Sequence, residues 1–209
     1  MIIHLVWLRN DLRWQDNPAL YYASQQGEVR VVVTATTEQW QEHHESKAKI
    51  GFRAGLIRTL LTQLAKLGIP TDLITLKRFS NVPAALDELC KQHKIKHLWF
   101  NRDLPVHEQQ RDQKVSNLLG EKGLQIHALD PDLIVPKPVL SQQGKPFEMF
   151  TPFYKRWLDI LATQDFQPFP EPKPQASTLY APELEISWQK TYRDDLWPAD
   201  QEVANQKLG

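Results

Sequence analysis

Short apolar runs alternate with amphipathic segments over the first two thirds of the chain. Each run is four to seven residues long, and the first two runs are rich in β-branched side chains, which is typical of strands buried on both faces. These predicted strands span residues 2–8, 29–34, 71–76, 97–100 and 124–128. The segments between them place apolar residues at helical spacing, and they predict helices over residues 18–24, 46–67, 83–93 and 108–121.

The regular alternation of strand and helix predicts one fold class. Strands separated by helices pair in parallel, and the helices cover both faces of the sheet. Because crossovers between parallel strands are right-handed, few strand orders remain. We therefore expect an α/β fold: a doubly wound, Rossmann-like, five-stranded parallel sheet with the strand order 3-2-1-4-5.

Proline-rich sequence distinguishes the last quarter of the chain. Six of the fifteen prolines lie between residues 168 and 198, where hydrophobic periodicity is weak. We predict that residues 1–130 form the core of an α/β domain, that residues 131–166 complete it, and that residues 167–209 are a linker or a tail along the surface. A chain that ends in such a segment is expected to be part of a longer protein.

Two elements are predicted in the middle part. Residues 139–149 predict a hairpin that turns at Gln143-Gly144. A helix is predicted from Thr151, as its N-cap, to about Leu161, with Pro152 in the first helical position.

Composition excludes several classes of protein. Formal net charge is zero and the pI is near 7.1, so we do not expect this chain alone to bind a nucleic acid backbone, which normally needs a basic surface. Cys90 is the only cysteine, which excludes an internal disulfide and a cysteine zinc site. No apolar run is long enough to span a bilayer, and no signal-peptide pattern is present. We expect a monomeric, cytoplasmic protein without a membrane segment or a metal ion.

Polar loops follow the predicted strands where a ligand would bind. In open parallel sheets, ligands bind beyond the carboxyl ends of the strands, where the strand order reverses. The loops at residues 9–16 and 101–107 should converge at this point, beside the loop at residues 35–45. No GxGxxG, P-loop, GxSxG or HExxH motif occurs, so we predict neither a Rossmann-type dinucleotide site nor a catalytic residue.

Three side chains in or beside these loops suit either a structural or a ligand-binding role. Arg9 could brace its loop through ion pairs or contact a ligand. Trp40 could join a small apolar cluster or flank a planar ring. Glu108 could interact with a helix dipole or accept two hydrogen bonds from an amino-substituted heterocycle.

Two longer motifs resemble signatures of the DNA photolyase and cryptochrome family. Residues 5–13 (LVWLRNDLR) with residues 16–20 (DNPAL) are similar to the opening signature of the family. Residues 144–153 (GKPFEMFTPF) with Trp157 are similar to its second N-terminal signature. The nearest resemblance is to bacterial class I cyclobutane pyrimidine dimer photolyases.

The resemblance implies a light-driven enzyme of two domains. An N-terminal α/β domain would hold an antenna chromophore, and a helical C-terminal domain would bind FAD and damaged DNA. The excited flavin would donate an electron to a pyrimidine dimer and split it. This chain would be the antenna domain: it would meet DNA only through the full-length enzyme, and alone it would have no lyase activity.

The resemblance also implies a set of pigment-binding residues. In relatives with a methenyltetrahydrofolate antenna, a histidine shortly after a tryptophan lies near the folate, and Trp40 with His43 matches that spacing. The family's Asn-Glu pair, which binds the pterin, corresponds to His107 and Glu108. Histidine cannot offer the donor and acceptor pair of an amide, so a deazaflavin or flavin antenna stays open. The predicted site is completed by the residues that directly follow the first and fourth predicted strands, Arg9 and Asn101.

Two other functions stay open at the level of sequence. A cryptochrome photoreceptor would use the same scaffold for signalling. A stand-alone nucleotide- or flavin-binding module of related fold would have no enzymatic role. An assay of repair activity would distinguish photolyase from cryptochrome, and the position of the natural stop codon would identify the module.

Overall fold

A five-stranded, all-parallel sheet lies at the centre of the molecule. The computed structural model describes residues 2–130, 133–135, 138–164, 167–176 and 192–208. The strands are β1 (Ile3–Leu8), β2 (Glu28–Thr36), β3 (Thr71–Leu76), β4 (His97–Asn101) and β5 (Gln125–Leu129). Their order is β3-β2-β1-β4-β5, which confirms the predicted fold class and strand order.

Helices connect the strands and continue beyond the sheet. Within the described residues they are α1 (Pro18–Gln26), α2 (Thr37–Glu42), α3 (Lys47–Lys66), α4 (Val82–Gln92), α5 (Val106–Glu121), α6 (Phe150–Leu161) and α7 (Gln201–Leu208). A single 3-10 turn over Phe79–Asn81 precedes α4. None of these helices is long and apolar enough to cross a membrane.

Side-chain caps begin two of the helices at the predicted places. The Asn17 carboxamide oxygen accepts a hydrogen bond from the Leu20 amide at 3.2 Å. Pro18 occupies the first position of α1, where its missing N–H removes no intrahelical bond. The Ser46 hydroxyl caps α3 by accepting from the Lys49 amide at 3.2 Å. A cap of this kind contributes about 1 kcal/mol to helix stability.

Alternate residues of β1 build two separate cores. Val6 and Leu8 pack with residues of α1 and α3 on one face of the sheet. Leu5 and Trp7 pack with residues of α4 and α5 on the other face, because successive side chains of a strand point to opposite sides. Both faces are therefore covered, as the continuous apolar strands predicted.

A short helix occupies the segment predicted to be a polar loop. α2 begins directly after β2 and has one buried residue, Trp40. Its six residues are too few for helical periodicity to be recognised in the sequence. This prediction was therefore wrong in its local structure, although the segment still lies at the carboxyl end of β2.

The predicted hairpin is also wrong, but its turn is present. The Gly144 amide donates to the Ser141 carbonyl at 2.9 Å, and Gly144 has a φ of +74°. No strands flank this turn within residues 138–149. A two-stranded hairpin is marginally stable in water, and Pro146 has no N–H to contribute to a ladder.

Helix α6 begins two residues earlier than predicted. Met149 is the N-cap residue and the helix starts at Phe150, so Thr151 lies inside the first turn. Pro152 then occupies the third position, where an amide has no intrahelical partner and proline is tolerated.

Parts of the proline-rich segment lie against the α/β domain. The Gln175 carboxamide bonds both backbone groups of Val29, accepting from its amide at 2.5 Å and donating to its carbonyl at 2.9 Å. The Thr59 hydroxyl donates to the Ala199 carbonyl at 2.8 Å. Helix α7, which was not predicted, follows shortly afterwards. The division of the chain at residues 130 and 166 stays a prediction.

Candidate functional site

The loops after β1 and β4 meet where the strand order reverses. The Arg9 guanidinium lies between them and donates to the Trp7 carbonyl at 3.2 Å and to the Asn101 carbonyl at 2.6 Å. It also reaches Asp112 on α5, the helix that begins just before Glu108. The convergence of loops that topology predicted is therefore present.

A buried ion-pair network of Arg9, Asp103, Arg111 and Asp112 lies at the carboxyl edge of the sheet. We call it the floor of the candidate site. Arg9 contacts Asp112 at 3.0 Å and Asp103 at 3.3 Å. Arg111 contacts Asp103 at 2.6 Å and Asp112 at 2.7 Å. Two positive and two negative charges thus balance one another, and the Arg9 guanidinium also lies 4.2 Å from the centre of the Trp7 ring. The network satisfies Arg9 from within the protein, which is the bracing role foreseen for it.

The charges of this network determine the ionisation of Asp103. Burial by itself would raise the pKa of this carboxyl, because desolvation disfavours the charged form. The positive charges of Arg9 and Arg111, with hydrogen bonds from Arg111 and Asn10, outweigh that effect and lower its pKa below the usual value. Asp103 is therefore a carboxylate at neutral pH.

Asn101 is a further buried residue of the floor. Its carboxamide oxygen accepts from the Ala19 amide at 3.1 Å, and its nitrogen donates to Asp11 at 2.8 Å and to Asn17 at 3.0 Å. The side chain therefore ties the end of β4 to the beginning of α1. Like Arg9, it shapes the site from below.

Two histidines from different helices meet above this floor. His43 follows the last turn of α2, and His107 lies in the first turn of α5. Their ring centres are 5.3 Å apart, with an angle of 40° between the planes. Both side chains are exposed, and half-buried Glu108 directly follows His107. The structure thus brings together the imidazoles that the sequence placed 64 positions apart.

Phe79 is a site residue that the sequence analysis missed. Its ring meets the His43 ring edge to face at 5.8 Å. The Arg111 guanidinium lies 4.8 Å from the centre of the same Phe79 ring. The loop after β3 does not border the reversal of strand order, so topology did not direct attention to it. The signal available in the sequence was an aromatic residue shortly after the third predicted strand, whose carboxyl end lies at the same edge of the sheet.

The exposed side of the site, above the floor, is formed by His43, His107, Glu108 and Phe79, and we call it the rim. Trp40 lies in the interior instead of on this rim. The Arg53 guanidinium lies 4.2 Å from the centre of the indole ring, and only 6% of the Trp40 surface is exposed. Arg53 also pairs with Glu45 at 2.7 Å. Burial would raise the pKa of Glu45, but the hydrogen bond and charge of Arg53 outweigh this and lower it. Trp40 is thus covered by an ion pair.

A separate cavity borders the network on its β5 side. It has a volume of about 550 Å³ and lies between the ends of β4 and β5 and the first turns of α5. Asp103, Asp112, Gln113 and Ala128 line part of it. The carboxylates of the floor therefore also form a wall of this cavity.

The rim suits binding of a planar ring better than acid-base chemistry. Two imidazoles and a phenyl ring offer faces and edges for aromatic contact, and Glu108 is a hydrogen-bond acceptor.

Cys90, the one thiol, lies buried in α4, where desolvation raises its pKa to about 12. That thiol is therefore unreactive, as its position in the sequence suggested.

Comparison with known proteins assigns the chain to a family. The DNA photolyase family profile matches residues 4–174. The chain is 35% identical over 168 residues to the deoxyribodipyrimidine photo-lyase of Vibrio cholerae, covering 79% of this chain and 35% of that protein. It is 30% identical over 164 residues to the enzyme of the same name from Escherichia coli, covering 77% and 34%. It is also 30% identical over 157 residues to Cryptochrome-1 of Arabidopsis thaliana, covering 75% and 23%.

Solved structures of related proteins share the fold. A class III photolyase from Agrobacterium tumefaciens superposes with a TM-score of 0.69 at 21% identity, over 95% of this chain and 38% of that one. An archaeal photolyase from Sulfolobus tokodaii, solved with two FAD molecules, gives 0.65 at 21%, over 82% and 38%. This chain spans about a third of the length of the photo-lyases from Vibrio cholerae and Escherichia coli. With a family profile that covers most of its residues, the chain belongs to the DNA photolyase family.

Proposed function

We propose that this chain is the light-harvesting domain of a deoxyribodipyrimidine photolyase. It holds an antenna pigment at the carboxyl edge of the sheet, and the pigment passes excitation energy to FAD in a helical C-terminal domain. The observation that supports this most directly is the pair of exposed imidazoles, His43 and His107, above a rigid ionic floor. The same proposal holds that the full-length protein is an enzyme that acts on DNA. It also holds that the protein is a monomer in the cytoplasm.

The residues of the site divide into a rim and a floor. On the rim, Glu108 accepts hydrogen bonds from ring N–H or amino groups, while His43 and His107 contact the ring. Phe79 presents an aromatic surface beside His43. The floor sets the position of these side chains through the buried residues Arg9 and Asn101, and buried Trp40 anchors α2, the helix that His43 follows.

The donor and acceptor set of the rim fits a pterin or a related heterocycle. Such rings offer N–H donors to a carboxylate and carbonyl acceptors to an imidazole N–H. Methenyltetrahydrofolate is the proposed pigment, with a deazaflavin or a flavin as the alternative. The second FAD molecule in the Sulfolobus tokodaii photolyase, described there as implying a novel light-harvesting cofactor, supports keeping the flavin alternative.

Light harvesting requires the protein to hold the pigment in a fixed geometry. When bound, the pigment supplies absorption of near-ultraviolet or blue light. The chain's own residues fix its distance and orientation and exclude competing contacts. A floor of four charged side chains, held by bonds of 2.6 to 3.3 Å, is suited to that task.

Helix α6 is the proposed contact with the C-terminal domain. Its apolar side chains lie largely in solvent, with 73% of Phe150, 45% of Tyr154 and 39% of Leu158 exposed. The Phe150 and Tyr154 rings stack at 5.6 Å and form one continuous patch. Exposed apolar patches of this kind mark interaction surfaces.

Pigment reconstitution tests the antenna proposal. Full-length protein is incubated separately with methenyltetrahydrofolate, a deazaflavin and FMN, and bound pigment is measured by absorbance after desalting. We expect one pigment to be retained, and Glu108→Gln to lower its occupancy about tenfold through loss of a charge-assisted hydrogen bond. Glu121→Gln, at the far end of α5, is the matched control and should bind as wild type. Equal occupancy in both variants would remove Glu108 from the site.

Repair assays test the enzymatic part of the proposal. Full-length protein with FAD should split thymine dimers under blue light, whereas the 209-residue chain alone should not. The 30% identity to Cryptochrome-1 makes a photoreceptor the second candidate. Pigment binding without any repair by the full-length protein would favour that candidate.

A further inference from the structure

We propose that Gln39 positions His43 by holding its imidazole in the Nδ1–H tautomer. His43 then acts as a hydrogen-bond donor toward the pigment, and it selects a ring with an acceptor at that point. The tautomer follows from protein contacts alone, while the part about the pigment rests on the proposed function.

The orientation of the Gln39 carboxamide is fixed by a backbone amide. The Gln39 oxygen accepts from the Phe79 N–H at 3.3 Å. A backbone N–H can only donate, so the carboxamide oxygen, and not its nitrogen, must face Phe79. The Gln39 backbone is itself anchored, since its own N–H donates to the Lys77 carbonyl at 3.0 Å.

The other end of the same carboxamide determines the proton on His43. With its oxygen on Phe79, the Gln39 NH₂ group faces His43 Nε2 at 3.0 Å. It also lies 3.4 Å from a Glu42 carboxylate oxygen, a second acceptor. Because NH₂ is only a donor, His43 Nε2 must accept, and the proton of the neutral ring lies on Nδ1.

The remaining imidazole nitrogen is available to a ligand. Phe79 and His107 hold the His43 ring on two sides, and no side chain or backbone group in the described residues accepts from its Nδ1. A neutral His43 therefore presents a fixed N–H donor, whereas Glu108, which follows His107 in the chain, presents acceptors. A ring that binds both needs a carbonyl or an unprotonated nitrogen as well as an N–H, which pterins and isoalloxazines possess.

Nitrogen NMR of the histidine rings tests the tautomer directly. Long-range ¹H–¹⁵N correlation of ¹⁵N-labelled chain, at about pH 8 where imidazoles are neutral, shows which ring nitrogen bears the proton. We expect Nδ1–H for wild-type His43. In Gln39→Glu the carboxylate still accepts from Phe79 but now also accepts from His43, so the proton should move to Nε2. Gln41→Glu adds the same charge on α2 as a control and should leave Nδ1–H.

The wild-type spectrum decides the tautomer even where a variant fails to fold. Nε2–H on wild-type His43 would overturn the proposal. A switch to Nε2–H in Gln41→Glu as well would attribute the effect to charge and overturn the role of Gln39.

Pigment titrations separate this inference from the proposed function. Full-length wild type and Gln39→Glu are titrated with methenyltetrahydrofolate and with FMN, and we expect the Kd of the bound pigment to rise about tenfold in the variant. A changed tautomer with unchanged Kd would overturn the donor role of His43. Binding of neither of these pigments nor of a deazaflavin by wild type would overturn the proposed function and that donor role, while the tautomer would stand on its own spectrum.

Discussion

Arg9 and Asp112 lie 103 positions apart in the chain and meet at 3.0 Å beyond the ends of β1 and β4. Their side chains are 3% and 8% exposed. Because Asp112 lies on α5, this pair holds the beginning of that helix against the loop after β1. The positions of His107 and Glu108, one turn earlier on the same helix, therefore depend on a buried salt bridge.

Removing Asp112 should destabilise the domain strongly. In Asp112→Ala, Arg9 and Arg111 would share the single carboxylate of Asp103. Breaking a buried ion pair on one side costs about 3–5 kcal/mol, because a desolvated charge loses its partner. We expect a loss of that size in the free energy of unfolding, measured by urea denaturation of the chain.

An exposed ion pair provides the control for this prediction. Asp130 pairs with Arg102 at 3.2 Å, but both side chains are more than half exposed. Asp130→Ala should therefore change the free energy of unfolding by about 0–1 kcal/mol. Similar losses in both variants would show that burial of the Arg9 network contributes little.

A histidine cluster at the other edge of the sheet should make stability depend on pH. His4, His97 and His127 lie on neighbouring strands β1, β4 and β5. The Trp99 indole N–H donates to His4 Nδ1 at 3.0 Å, and the Trp99 ring stacks on His127 at 3.7 Å. Burial, followed by the charges of His97 and His127, lowers the pKa of His4. Burial and then His97 lower the pKa of His127.

The sign of the effect follows from these directions. The folded chain binds fewer protons than the unfolded chain when a histidine pKa is lowered on folding, so stability rises with pH. The contribution of His4 and His127 to stability should be fully present above the unfolded pKa of 6.5. It should decline as the pH falls through and below that value. Urea denaturation at a series of pH values measures this decline.

His127→Phe tests which group is responsible. Phenylalanine keeps an aromatic ring against Trp99 but cannot be protonated, so the loss of stability in acid should become smaller. His44→Gln, at an exposed position, should retain the wild-type dependence. A His127→Phe curve parallel to wild type would exclude His127 as a source of the pH effect.

The strand order was predictable because it depends on signals that are local and strong. Buried strands such as β1 are continuous apolar runs, and Asn17-Pro18 marks a helix start by chemistry that acts within three residues. The role of Phe79 was not predictable in this way. It depends on a contact with Arg111, 32 positions later, and on α2, which is too short to show a period. The rim is built by such long-range contacts.

The exposed face of α6 should affect assembly without affecting the stability of this chain. Tyr154→Ser removes an apolar side chain that is 45% exposed, so the free energy of unfolding of the chain should change by less than about 0.5 kcal/mol. In the full-length protein, the same change should weaken docking of the C-terminal domain and lower FAD retention after gel filtration. Lys155→Ser, on the same helix, should leave FAD retention unchanged. Loss of FAD from both variants would argue against a specific docking surface.

Replacing His107 by asparagine should favour folate over flavin. The Asn-Glu pair implied by the family resemblance offers a carboxamide, with one donor and one acceptor side by side, where His107 offers a single group. In His107→Asn we expect the Kd for methenyltetrahydrofolate to fall about fivefold to tenfold, the effect of one added hydrogen bond, with little change for FMN. His44→Asn is the control: it makes the same replacement at an exposed position with a φ of +54°, which asparagine tolerates. Tighter binding of FMN in His107→Asn, with no gain for folate, would instead identify the site as a flavin site.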